Sequence, residues 1–113
     1  MESSFTQQNA PQEVQAMPRD RFEYILDNMT VEGVSEGSYY VLHLNVDGVR
    51  MAAKVFPAHR QDDFEYELAQ HSLLSDSIYV VKSINHLKSF PGMPALKAPD
   101  HGLKFRRYNL LFS

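Results

Sequence analysis

The tightest constraint on this chain is a two-residue signal, Asp47-Gly48, which separates two runs rich in aromatic and aliphatic residues, 38–45 and 49–56. Asp-Gly readily supplies the positive φ angles that short hairpin turns need, so the two runs are predicted to fold back on each other as a β-hairpin. In the second strand, period-two geometry puts Ala52, Lys54 and Phe56 on one face and Met51, Ala53 and Val55 on the other. Lys54 then stands in mid-strand beside a small residue that leaves space next to it. A charge in such apolar company needs a partner, because an uncompensated buried charge is strongly unfavourable.

The partner is sought in the next segment. After Pro57, Gln61-Asp62-Asp63 offers a helix cap with acidic residues in the first turn, where the macrodipole favours them. A helix is predicted from about Asp62 to Leu74, with Phe64, Glu67, Leu68, His71 and Leu74 along one stripe. Glu67 faces the sheet and Glu65 points elsewhere. The expected result is a Lys54 to Glu67 ion pair.

Around this centre, residues 1–18 carry too little apolar surface to offset ordering entropy and are expected to be a disordered polar tail, with the folded domain spanning 19–113. Phe22, Ile25, Leu26 and Met29 have helical spacing, but residues 19–29 would also serve as a strand. Ser75-Asp76-Ser77 ends the helix. Ile78-Tyr-Val-Val81 with Ile84 to Phe90 supplies one more strand or a short pair, and 90–103 is rich in Pro and Gly and reads as a loop. Residues 103–112 end in Leu110-Leu111-Phe112, suited to a central strand. The predicted fold is α+β, an antiparallel sheet of about five strands with one packed helix, in one domain.

Several function classes are set aside. A net charge of −3 without a long basic run gives no footprint for nucleic acid. No cysteine is present, and His43, His59, His71, His86 and His101 show no metal-ligand spacing, so no metal site is expected. The chain lacks an apolar h-region and any run of eighteen apolar residues, which predicts no membrane span and an intracellular location. The sequon at Asn28-Met29-Thr30 is read as chance.

The order of these segments resembles the N-terminal lobe of the eukaryotic protein kinases. Val34-Ser35-Glu36-Gly37-Ser38-Tyr39-Tyr40-Val41-Leu42 lies along the family's glycine-rich loop, and Met51-Ala52-Ala53-Lys54 matches its Val-Ala-x-Lys strand. Phe64 with Glu67 is similar to the helix C pattern, and Leu110-Leu111-Phe112 to the strand leading into the hinge. By this resemblance Gly37 would cover the phosphates of ATP, Lys54 would hold the α and β phosphates, and Glu67 would position Lys54. Val34, Leu42, Ala52 and Phe112 would line the adenine slot.

The sequence departs from the family at Ser35 and Tyr40, where glycines would allow close approach to phosphate. The interval from Lys54 to Glu67 is also short. The sequence stops at Ser113 without a His-Arg-Asp or Asp-Phe-Gly motif, so the expectation is an incomplete, catalytically silent lobe with weak ATP binding. The alternative is a small non-enzymatic interaction module, an inhibitor or adaptor, with a protein partner covering an exposed lobe face.

Overall fold

In the structure, a computed structural model that describes residues 14–73, 83 and 85–113, the Asp47-Gly48 turn has φ of 54° and 83° at its two central positions. Both angles are positive, the combination a type I′ hairpin turn requires. The turn joins β3 (Tyr40–Val46) to β4 (Val49–Pro57), with Val46 opposite Val49. Asn45 Oδ1 accepts the Gly48 N–H at 2.9 Å and closes the turn.

Four further strands complete the sheet. β2 (Met29–Ser35) pairs with β3, and β8 (Tyr108–Phe112) with β4. β5 (Asn85–Leu87) pairs with β8, and β1 (Gln15–Ala16) runs parallel to β5. The order is β1-β5-β8-β4-β3-β2.

The α+β class is observed, but the sheet has six strands, is mixed because of β1, and packs two helices. α1 (Arg19–Asn28) resolves the ambiguous segment 19–29 as helix. Phe22 and Ile25 lie one turn apart and are buried on the sheet, while Met29 has already turned into β2. Packing also reaches back before Arg19. Val14 and Met17 are buried, and the Met17 N–H donates to His86 O at 2.8 Å. The stretch 90–103 is more regular than its Pro and Gly content suggested, since β6 (Leu96–Ala98) pairs with β7 (Leu103–Phe105) as a separate two-stranded sheet. Residues 103–112 are therefore two strands, β7 and β8, broken at Arg106 and Arg107. The expectations for Leu74, Ser75 to Val81 and Ile84 fall outside the described residues.

The sheet separates two apolar clusters. Leu42, Leu44, Ala53, Val55, Leu110 and Phe112 face α1, with Phe22, Ile25, Leu96 and Ala98 closing the layer. On the other face Phe56 and Leu111 meet Phe64 of α2 (Gln61–Leu73). Among the described residues no helix is long and apolar enough to cross a membrane.

Candidate functional site

Lys54 lies on the α2 face of β4, and Phe64 brings α2 down onto that face by burying its ring against Phe56, with centroids 5.5 Å apart. Glu67 follows Phe64 by three residues and so shares its side of the helix. Lys54 Nζ donates to Glu67 Oε1 at 2.6 Å, and each side chain is 31 % exposed. The pairing expected from the sequence is thus in place, at the open edge of the small cluster. Glu65 projects elsewhere and meets Lys88 at 3.2 Å.

An ammonium has three donors. Glu67 engages one of them, and Lys54 Nζ also lies over the Phe56 and Tyr39 rings, at 5.3 and 5.8 Å from their centroids. These rings favour the cation without satisfying its hydrogen bonds.

The roof over this spot comes from the β2–β3 loop. Tyr39 tilts onto Phe56 with centroids 4.8 Å apart, and its hydroxyl donates to the Asp63 carboxylate at the start of α2. That hydrogen bond, aided by partial burial, holds the Tyr39 phenol above its ordinary pKa. Tyr40 turns the opposite way, packing edge-on against Phe105 on the α1 side, so its bulk is not in front of Lys54. Ser35 Oγ sits 2.7 Å from His43 Nε2. Gly37 is exposed in the loop, where an added Cβ would meet only the Tyr39 carbonyl oxygen at 3.9 Å. The loop's own packing does not demand glycine there.

The register divides the residues expected to line one slot. Opposed residues in an antiparallel pair project to the same face, and Lys54 stands opposite Val41 and Leu111. Leu42 and Phe112 both oppose Ala53, so they belong to the core under α1. Val34 opposes Leu42 and packs against the same core. Val34, Leu42 and Phe112 therefore lie across the sheet from Lys54, and only Ala52 of the proposed lining shares its face. Residues that do share it include Gly33, Val41, His43, Leu111 and Ser113, none of which was expected in the slot.

Ala52 exchanges two backbone hydrogen bonds with Ser113, both 2.9 Å. A shallow depression of about 600 Å³ opens beside them, bordered also by Gly33, His43 and Arg50. Along β4 its lining runs from Ala52 to Arg50, and Lys54, the next residue on the Ala52 face, lies outside it. Among the described residues no group of three or more His, Asp or Glu side chains is gathered in a way that would hold a metal ion. The site offers a cation anchored by a carboxylate under an aromatic roof, and the same sheet face carries a shallow recess at Ala52. Compared with family models, curated proteins and solved structures, the chain matches none.

Proposed function

We propose that residues 31–113 form a protein-kinase-like lobe whose site binds a nucleotide polyphosphate. The observation that carries this reading is the 2.6 Å contact from Lys54 to Glu67 at a half-open position. A lysine held by one carboxylate keeps two donors for phosphate oxygens, and the fixed carboxylate lowers the cost of aiming it. The antiparallel run β2-β3-β4-β8-β5, with α2 between β4 and β5 in the chain, gives the strand and helix order that the resemblance implies. ATP would lay its phosphates toward Lys54 and its base over Ala52, Gly33 and Ser113. Val41 and Leu111, rather than Leu42 and Phe112, stand opposite Lys54 on its face. Binding is the activity proposed.

Calorimetric titration of the full chain with ATP tests this. Lys54→Met and Glu67→Gln are expected to weaken binding at least about tenfold, equivalent to roughly 1.4 kcal/mol, with unchanged circular dichroism. Absence of saturable binding, or equal affinity in the wild type and Lys54→Met, would overturn the reading in favour of the interaction module.

A further inference from the structure

At the opposite end of β8 from Ser113, a second cavity of about 420 Å³ is lined by Ser89, Phe90, Met93, Arg106 and Arg107, among others. Ser113 lies six positions along extended chain from Arg107, roughly 20 Å, so this cavity is distinct from the recess beside Ala52. Phe90, one of its walls, carries Arg19 stacked 4.2 Å above its ring centroid. A stacked guanidinium keeps its in-plane N–H donors for an anion.

Arg106 and Arg107 are the two cations that line the cavity. Arg50, Lys54 and Lys88 each meet a glutamate. No aspartate or glutamate lines the cavity, and among the described residues none forms an ion pair with Arg19, Arg106 or Arg107. Neighbouring positive charges without a counter-charge repel, and a bound anion relieves that repulsion.

The cavity walls are also fixed in advance. Asn109 Oδ1 accepts the Ser89 N–H at 2.8 Å, and the Tyr108 hydroxyl donates to Pro94 O at 2.7 Å. Two consecutive buried residues of β8 thus hold both ends of the 89–94 loop. Between them the Met93 N–H closes a turn on Phe90 O at 3.2 Å. Preorganised walls reduce the ordering cost of binding.

We infer that this cavity is a binding site for a small aryl phosphate. The planar forks of Arg106 and Arg107 suit phosphate oxygens, where bidentate charge-assisted hydrogen bonds are strong. Phe90 and Met93 provide the apolar wall for the ring. The volume lies within the roughly 300–1,000 Å³ typical of small-molecule sites.

The test is an NMR or calorimetric titration of the full chain with phenyl phosphate and, separately, inorganic phosphate. Saturable binding of phenyl phosphate is expected, at least tenfold weaker in the double variant Arg106→Ala/Arg107→Ala. Phe90→Leu should weaken phenyl phosphate while leaving inorganic phosphate unchanged. Lys54→Met should bind as the wild type does, which separates this site from the nucleotide site. Lys97→Ala/Lys104→Ala removes two exposed charges outside the cavity and should also have no effect. Non-saturable binding, equal loss in the Lys97/Lys104 control, or equal affinity for the two phosphates would overturn the assignment.

Discussion

Phe64→Ala tests whether the sheet carries two separable clusters. Phe64 is 0 % exposed and is the only buried side chain among residues 61–71. Its ring meets Phe56 at 5.5 Å and His86 at 6.3 Å between centroids, and with Leu111 these residues make up the buried contact under α2. Truncating a buried phenylalanine costs about 3–5 kcal/mol, because transfer energy is lost and a cavity remains. Against a total stability of about 5–15 kcal/mol for an ordinary domain, that is a large fraction. For a chain of about this size each kcal/mol corresponds to roughly 4 °C, so the midpoint should fall by about 12–20 °C. Urea and thermal denaturation give the global figure, and hydrogen exchange shows where protection is lost. α2 should lose protection before α1, since α1 rests on the other cluster through Phe22 and Ile25. A cost below about 1 kcal/mol, or equal loss of protection in both helices, would refute the two-cluster description.

Two further outcomes follow from the same geometry. Leu42→Ala should cost about 2–5 kcal/mol as a core truncation, whereas Val41→Ala, half-buried on the Lys54 face, should cost about 1 kcal/mol or less; equal costs in denaturant titration would contradict the register. The raised pKa of Tyr39 means that the native state holds the phenolic proton more tightly than the unfolded chain does. Its stabilisation is complete below about pH 10, the unperturbed value, and is lost as pH climbs through the folded pKa. Tyr39→Phe should therefore flatten part of the alkaline fall in stability, and an unchanged slope above pH 10 in equilibrium unfolding would refute the Asp63 contact.

The legible parts of the fold are those set by local chemistry. Asp47-Gly48 dictated a turn whose backbone needs two positive φ angles, and the acidic Gln61-Asp62-Asp63 start with Phe64 and Glu67 three residues apart defined α2 and its inward face. Segment 19–29 could not be settled from its own residues. Phe22, Ile25 and Leu26 satisfy helical spacing, yet their aromatic and β-branched character also suits a strand, and packing on the sheet decides between the two. β1 is two residues long and pairs with β5 about seventy positions away, a contact with no local signature. The break at Arg106 and Arg107 was hidden because both flanking runs have strand composition.

The slot residues were misplaced for three separable reasons, one of which the sequence could have resolved. A two-residue turn at Asp47-Gly48 pairs Val46 with Val49, and stepping outward from there pairs Val41 with Lys54 and Leu42 with Ala53. Period two then assigns Leu42 to the face away from Lys54, so the kinase motif aligned on Leu42 was one residue out of step with the hairpin geometry. Val34 was beyond such reasoning. The register shifts between Val31 and Gly33, and without that bulge Val34 would stand opposite Val41 on the Lys54 face. Phe112 was undecidable for a third reason: all five residues of β8 are buried, since the sheet is covered on both sides there, and a strand buried on both faces loses the alternation that fixes register. Choosing between Leu111 and Phe112 therefore required the pairing of β8 with β4, which puts Leu111 opposite Lys54. The face that carries Lys54 on this central strand is thus easiest to read through its turn and hardest to read through its most apolar neighbour.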